Sequence, residues 1–291
     1  MAVTAVVAFH LGLGWARGGW LGVSLFFTLA GYLVTRNLLA AASADAEGRV
    51  RLRSFWVARA RRLLPASWTT LAAVVVAALV APTAARRAGF DGGDVLAALF
   101  QVANWRFLAA DASYAQLFAS PSPVLHFWSL AVEEQIYVVL PIVVAAVVAL
   151  GLHRRRVVVL VVALAATSFV VPIAAGWSVD RTYYGTDARL GEVLLGVLLA
   201  VVQARATSSR AAASLPAVSR PALRAAAPAV ALGLFGAGVV GVEHGTDWIV
   251  RGLLPAVALV STVLVAGAVG PGSWIGRVGS VAVVAGCGRA S

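Results

Sequence analysis

Long apolar stretches separated by arginine-rich loops constrain this 291-residue chain more than any other feature. Thirteen of its 23 basic residues fall in three loops. They are Arg49, Arg51, Arg53, Arg59, Arg61 and Arg62, then Arg154 to Arg156, then Arg205, Arg210, Arg220 and Arg224. Because loops on the cytoplasmic side of a membrane collect arginine and lysine, the pattern predicts an integral membrane protein with one orientation.

The composition excludes an ordinary soluble domain. Hydrophobic residues make up 61% of the chain and charged residues 12%, whereas soluble domains are roughly half apolar and about a quarter charged. The net charge of +11 follows the membrane periodicity rather than one basic face. Membrane lipids and phosphorylated small molecules are therefore the expected partners, and nucleic acid is not. The only cysteine, Cys287, excludes an intramolecular disulfide and a multi-cysteine metal site, and no metal is expected.

Apolar stretches of spanning length predict an all-α, polytopic transmembrane helix bundle with about eight spans. The expected spans are residues 1–16, 19–40, 65–81, 127–150, 157–176, 188–204, 226–242 and 249–270. Residues 94–110 are apolar but carry polar side chains, so we expect an interfacial or re-entrant segment there. With that segment not crossing, the arginine-rich loops face the cytoplasm and the acidic gaps at 180–187 and 243–247 face out. We therefore predict one multi-pass domain over residues 1–291 in the inner (plasma) membrane, with a linker at 205–225 and no soluble domain.

His10 is an ionisable side chain inside the first apolar stretch. Such groups are costly in a membrane helix and usually functional. An imidazole can exchange a proton near neutral pH or accept an acyl group, so His10 is a candidate catalytic residue. The alternative is a histidine satisfied by a neighbouring helix backbone or by the membrane interface.

Arg59 and Arg62 lie three residues apart, so their guanidinium groups share one helix face. A pair of planar forks suits phosphate oxygens, and a cytoplasmic position would meet a phosphorylated donor. Both arginines are therefore candidate donor-binding residues. The alternative is a basic anchor that binds lipid headgroups.

The segment 126–137 places His126 at the outer mouth of a predicted helix, and Ser129 lies one turn from Glu133. Two adjacent carboxylates, Glu133 and Glu134, are costly in an apolar helix, so at least one must be paired, protonated or water-facing. They are candidate catalytic residues for acid–base work or for orienting an imidazole. The alternative is a polar cluster that holds helices together.

The predicted outer gap at 180–187 offers hydroxyls, a carboxylate and guanidinium groups, as a polyhydroxylated acceptor would require. The candidate acceptor-side residues are His126, Ser129, Tyr183, Tyr184, Asp187 and Arg189. The alternative is an ordinary interfacial belt of tyrosine and arginine. In the span that follows, Gly191 and Gly196 are expected to allow close helix packing.

Four ordered segments resemble the acyltransferase-3 family of bacterial membrane O-acyltransferases. They are residues 18–33 with its second-helix signature, Arg59-Ala60-Arg61-Arg62 with its RxxR motif, residues 128–135 with its WSLAVEEQ segment, and residues 183–189 with its YYGTD-x-R segment. The resemblance implies a bundle of about ten transmembrane helices. It also implies transfer of an acyl group, usually acetyl from acetyl-CoA (acyl-CoA), to an extracytoplasmic acceptor such as peptidoglycan, another glycan or a macrolide. No bound cofactor is expected, since acetyl-CoA enters as the donor substrate.

By the same resemblance, His10 would be the essential first-helix histidine, and Arg59 with Arg62 the donor-side pair. In this interpretation Glu133 or Glu134 orients or reprotonates the imidazole, and the acceptor attacks directly or through an acyl-histidine. Both ends depart from the family pattern, so we expect a chain truncated at both termini and without the SGNH hydrolase-like domain that often follows. The rival hypotheses are a transporter or flippase for a lipid-linked sugar and an inactive remnant of such an enzyme.

Overall fold

A computed structural model describes residues 2–109, 122–208, 221–243, 247–249 and 251–269, with positions 273, 274 and 277. The helices are α1 (Ala2–His10), α2 (Gly22–Ala44), α3 (Leu52–Val80), α4 (Pro82–Arg87), α5 (Gly92–Leu99), α6 (Ala103–Ala109), α7 (Phe127–Ala149), α8 (Arg154–Ala174), α9 (Val179–Tyr184), α10 (Thr186–Ser208), α11 (Pro221–Gly241) and α12 (Leu253–Val269). Short 3-10 helices cover Gly14–Ala16, Gly19–Leu21 and Asp247–Ile249. No strand occurs within these residues, so the predicted all-α class is confirmed.

Four helices of the described part are long and apolar enough to cross a membrane, judged by length and composition. They are Gly19–Ala44, Leu52–Val80, Phe127–Ala149 and Arg154–Ala174. The apolar helices Ala226–Gly241 and Leu253–Val269 are shorter. The described residues therefore fit a membrane protein, but they do not confirm the predicted count of about eight spans.

The first apolar stretch differs most from its prediction. It forms only the nine residues of α1, because Gly12 adopts φ +68° and the Leu13 amide donates to the Ala8 carbonyl, which is the usual way to end a helix at glycine. His10 is consequently the last residue of α1 rather than a residue inside a long span.

Helix α3 begins at Leu52, well before the predicted start at residue 65. Pro65 lies inside it, and its carbonyl accepts a hydrogen bond from the Thr69 hydroxyl. Proline removes one backbone donor but is tolerated in membrane helices. Arg59 and Arg62 are therefore both helical, three residues apart, as expected.

Helices α2 and α10 form the packed centre of the bundle, and glycines bring their backbones together. A Cβ atom at Gly31 would overlap the Val193 carbonyl oxygen, and a Cβ atom at Gly196 would overlap that of Thr28. A Cβ atom at Gly191 would overlap the Phe169 ring of α8. The close packing predicted at Gly191 and Gly196 is confirmed, and it fixes α10 against both neighbours.

The apolar segment that carries polar residues forms two short helices, α5 and α6, separated at Gln101. Gln101 has φ +57°, a left-handed conformation that is uncommon for a residue other than glycine. The Gln135 amide of α7 donates to the Gln101 carbonyl at 2.9 Å and to Asn104 Oδ1 at 3.0 Å. The Thr186 hydroxyl donates to Gln135 Oε1 at 2.6 Å. This helix–break–helix form suits a re-entrant or interfacial segment, and Gln135 ties it to α7 and α10.

Some predicted features lie outside the described residues. They are residues 209–220 of the expected linker, residues 244–246 of the second acidic gap, and the C-terminal stretch after residue 277, which includes Cys287.

Candidate active site

A polar stripe runs along one face of α7. It consists of His126, Ser129, Glu133 and Tyr137, whose spacing of three to four residues brings them to the same side of a helix. The Tyr137 hydroxyl donates to Glu133 Oε2 at 3.2 Å, and the Ser129 hydroxyl donates to the His126 carbonyl at 3.3 Å. His126 and Glu133 are two turns apart, roughly 10 Å along the axis. The stripe therefore joins the mouth of α7 to its carboxylates.

Arg59 of α3 lies at the Tyr137 end of the polar stripe. Its guanidinium carbon is 3.4 Å from the centroid of the Tyr137 ring, and its positive charge acts on both Glu133 and Glu134. The Trp56 indole donates to the Tyr137 carbonyl at 3.0 Å and fixes α3 at this height. The predicted donor-binding arginine and the predicted catalytic carboxylates, which belong to separate motifs, thus lie together.

Two buried atoms of this cluster have no hydrogen-bond partner within the described residues. They are Nε of Arg59 and Oε1 of Glu134. A buried polar atom without a partner costs roughly 1–3 kcal/mol, so such atoms commonly meet water or a ligand. Arg62, one turn further along α3, is exposed. The two arginines of the motif therefore have different surroundings, one enclosed among carboxylates and one free to meet soluble anions.

His10 lies close enough to the His126 end of the polar stripe for its charge to act on His126. Its Nδ1 is 2.8 Å from the Val6 carbonyl oxygen, and because a carbonyl only accepts, Nδ1 carries the proton and Nε2 is the basic nitrogen. Part of the His126 ring is accessible, but the surrounding protein atoms lower the pKa of His126, and the charge of His10 lowers it further. Two imidazoles consequently share the mouth of α7.

The structure does not join His10 to the carboxylates as the sequence suggested. Within the described part of the chain, no hydrogen bond or ion pair connects His10 with Glu133 or Glu134. Their contacts are instead with Arg59 and Tyr137. The separation follows from α1, which ends at His10 near the start of α7 and does not run deeper beside it.

Three predicted acceptor-side residues are buried rather than at an outer surface. Tyr183 is 1% exposed, and Tyr184 and Arg189 are each 0% exposed. The Trp128 ring lies 4.5 Å from the Tyr183 ring and 5.4 Å from the Tyr184 ring, centroid to centroid. The Arg189 guanidinium is 5.2 Å from the Phe27 ring and 5.3 Å from the Tyr183 ring. These side chains form an aromatic cage around a cation, so the outer face is left to Asp187, Ser129 and His126.

The caged arginine belongs to a polar network between α2 and α10. Arg189 Nη2 is 3.3 Å from Glu192 Oε2, and the Ser24 hydroxyl donates to Glu192 Oε1 at 2.9 Å. All three residues are fully buried. Neither Ser24 nor Glu192 was among the predicted site residues, although Glu192 follows Arg189 by three residues in an apolar stretch, a spacing that indicates an ion pair.

Asp187 keeps an accessible side chain near the start of α10. Arg181 of α9 donates to both of its carboxylate oxygens, at 2.8 and 2.6 Å. The Arg181 guanidinium also lies 4.0 Å from the Trp177 ring centroid and 5.3 Å from that of Trp105. The predicted outer gap at 180–187 included Asp187 and Arg181, but the sequence did not predict their proximity to Trp105 and Trp177.

The helices and this site define a class, an all-α membrane-protein domain with histidines and a carboxylate–arginine cluster among its helices. Comparison with known proteins supplies the family. The family model described as an acyltransferase domain, of the acyltransferase-3 type, matches residues 1–291. The chain therefore belongs to this acyltransferase family, and the resemblance seen in its motifs is confirmed.

Several curated relatives are similar to the chain. The peptidoglycan O-acetyltransferase OatA of Listeria monocytogenes is 36% identical over 206 residues, which is 69% of this chain and 32% of the relative. A candidate O-acetyltransferase of Staphylococcus aureus strain COL is 32% identical over 302 aligned residues, 100% of this chain and 47% of the relative. A candidate peptidoglycan O-acetyltransferase of Bacillus subtilis, YrhL, is 38% identical over 211 residues, 69% of this chain and 32% of the relative. The chain thus spans about one third to one half of these relatives' length. No solved structure matches it.

Proposed function

We propose that the chain is the membrane part of an O-acyltransferase that moves an acyl group, acetyl in the first instance, from cytoplasmic acyl-CoA to a hydroxyl of an extracytoplasmic glycan. The observation that carries the proposal is the polar stripe of α7, with Arg59 at one end and His10 at the other. A cation suited to an anionic donor and a base suited to a hydroxyl acceptor lie toward opposite ends of one helix face that carries polar groups.

Arg59 and Arg62 are the proposed donor-binding residues. Arg62 is exposed and suits the phosphates of coenzyme A, because a guanidinium pairs with two phosphate oxygens at once. Arg59 is enclosed, and its unpartnered Nε suits another oxygen of the donor, so that the thioester can extend along the polar stripe toward His10.

His10 is the proposed base. The acceptor oxygen forms a bond to the thioester carbon, the carbon–sulfur bond breaks, and the hydroxyl proton passes to Nε2 of His10 and on to the departing thiolate. In the covalent route Nε2 attacks first and the acceptor then takes the acyl group from it. Both routes use the lone pair that the Val6 hydrogen bond leaves on Nε2, so the fixed tautomer supports either.

The glycan acceptor is supported by the names of the relatives, of which OatA is a peptidoglycan O-acetyltransferase. His126 and Ser129 at the mouth of α7, and Asp187 beside α10, are the accessible polar groups proposed to face it. Glu133 is proposed to act at a distance from His10, by holding Arg59 and Tyr137 in place.

Release of free coenzyme A from acetyl-CoA by the purified protein in detergent, with a glycan acceptor added, tests the proposal. We expect turnover in the parent chain and its loss in His10→Ala and Arg59→Ala. The matched controls are His153→Ala, a loop histidine beside α8, and Arg61→Ala, an exposed arginine between the two candidates, and both should retain activity. Full turnover in His10→Ala would contradict the proposed base. A parent chain without turnover that still moves a lipid-linked sugar across vesicles would favour a flippase.

A further inference from the structure

Two tryptophans flank a single ion pair where α9 passes into α10. From this arrangement we propose a saccharide platform, formed by Trp105, Trp177, Arg181 and Asp187, that binds a pyranose ring of the acceptor glycan. The inference rests on the proposed function and adds to it the residues that would receive the acceptor. Neither tryptophan was marked by the sequence motifs.

The ion pair of the platform is held from several sides. Arg181 makes two hydrogen bonds to Asp187, at 2.8 and 2.6 Å, and its guanidinium lies over the Trp177 ring at 4.0 Å. The Trp105 ring centroid lies 5.3 Å from the same guanidinium carbon, and the Trp105 indole donates to Gln135 Oε1 at 3.4 Å. The Arg181 and Asp187 side chains are therefore already oriented before any ligand binds, which lowers the side-chain entropy lost on binding.

Gly185 lies directly beneath the ion pair of the platform. A Cβ atom at this position would overlap Arg181 Nη1 and would lie 2.7 Å from the Arg181 carbonyl oxygen and 2.8 Å from Asp187 Oδ1. The backbone of Gly185 has φ −65° and ψ 121°, a conformation that alanine adopts freely. Glycine at this position therefore leaves room both for the ion pair and for the Arg181 carbonyl oxygen of the backbone.

The platform remains accessible, which a purely structural ion pair does not need. The Asp187 side chain is 51% exposed, and Trp105 is 38% exposed. Exposed ion pairs contribute only about 0–1 kcal/mol to stability, so stability alone gives little reason for four groups and a glycine here. A pyranose has an apolar C–H face and a rim of hydroxyls. The tryptophan rings match the apolar face, and the Asp187 carboxylate and the Arg181 guanidinium can accept and donate hydrogen bonds to the hydroxyls.

The competing explanation for exposed tryptophans is anchoring at the membrane interface. Trp68 of α3 is 53% exposed and is an apolar-surface tryptophan of that kind. It provides the matched control, because a substitution there removes an exposed indole without touching the platform.

Saturation-transfer NMR with an N-acetylglucosamine tetramer, recorded on the purified protein without acyl-CoA, tests the platform. We expect Trp177→Ala and Asp187→Asn to weaken binding by about fivefold or more, Gly185→Ala to weaken it by displacing Arg181, and Trp68→Ala to bind as the parent does. Thermal unfolding of each variant identifies any that fails to fold, and Asp187→Asn preserves the shape of the side chain.

Two results would overturn the platform, namely no binding by the parent chain and equal binding by the parent and all three platform variants. Because no donor is present, either result leaves the coenzyme A release assay unaffected. Conversely, if the parent chain binds the tetramer but releases no coenzyme A, the proposed acyltransferase activity is contradicted and the saccharide platform is supported.

Discussion

The guanidinium carbon of Arg59 in α3 lies over the Tyr137 ring of α7, 3.4 Å from its centroid. A desolvated cation–π contact of this kind contributes about 2 kcal/mol. Tyr137 also donates its hydroxyl to Glu133, so the ring and the carboxylate together set the direction of the arginine. A candidate donor-binding residue is thus oriented by the helix that carries the candidate catalytic groups.

The stack predicts that charge alone does not replace Arg59. Arg59→Lys keeps the positive charge but loses the planar fork, and we expect coenzyme A release to fall about tenfold, compared with about 100-fold for Arg59→Ala. Arg61→Lys, on the exposed neighbour, should change the rate little. Parent-like turnover in Arg59→Lys would show that the planar contact with Tyr137 is not needed.

The buried pair of Arg189 and Glu192 predicts a large and asymmetric loss of stability. Glu192→Ala leaves a buried guanidinium without its carboxylate, which costs about 3–5 kcal/mol, and the thermal unfolding midpoint in detergent should fall accordingly. Replacing both partners, Arg189→Met with Glu192→Leu, should recover most of the loss. The exposed pair of Arg251 and Asp247 supplies the control, since Asp247→Ala should cost less than about 1 kcal/mol. A double variant no more stable than Glu192→Ala would contradict this account.

The glycines between α2 and α10 predict a position-specific response to alanine. Gly196→Ala would push a methyl group into the Thr28 carbonyl oxygen, and overpacking of this kind costs about 1–3 kcal/mol. Gly233→Ala in α11 meets nothing within 4 Å, so the higher helix propensity of alanine should leave stability unchanged or raise it by up to about 1 kcal/mol. Thermal unfolding midpoints of the two variants compare them directly, and equal shifts would argue against backbone contact between α2 and α10.

His126 predicts a loss of stability in acid. Because burial lowers the pKa of His126 from 6.5, the unfolded chain binds the proton more tightly than the folded chain. Folded-state stability is therefore fully present above about pH 6.5 and is lost as the pH falls below it. We expect the unfolding midpoint to drop less between about pH 7.5 and about pH 5 in His126→Gln than in the parent. An unchanged response in His126→Gln would contradict the prediction.

Sequence patterns reached the all-α class and the family because both depend on local features. Apolar stretch length and ordered motifs such as residues 128–135 need no knowledge of tertiary contacts. The short helix α1 was missed, since apolar residues continue past Gly12 and only the left-handed turn there ends the helix. The sequence placed Arg59 and Arg62 on a helix but began the span at residue 65, after the arginines and at a proline, whereas the structure joins both parts into one helix.

The sequence identified several residues of the candidate site but not the contacts between them. His10, Arg59 and Glu133 stand out as charged or ionisable groups in apolar surroundings, which is visible in one dimension. Their partners depend on how helices cross, so the contact of Arg59 with Tyr137 and the burial of Arg189 could not be anticipated. Tyr183 and Tyr184 gave the same false impression of a polar surface, because a tyrosine hydroxyl in a sequence does not show that its ring is packed against Trp128.

Helix α3 is the least enclosed long element around the site, with only Ser67, Leu71 and Ala78 buried. Helices α2 and α10 are packed more closely than α3, because their backbones are in contact at Gly31 and Gly196. The arginine end of the polar stripe is consequently carried by a helix with few buried side chains, joined to α7 through Trp56 and Arg59, and the aromatic cage by a pair of helices in backbone contact. A donor as bulky as coenzyme A is therefore expected to approach from the α3 side, where it displaces few packed side chains, while the α2–α10 pair keeps its shape.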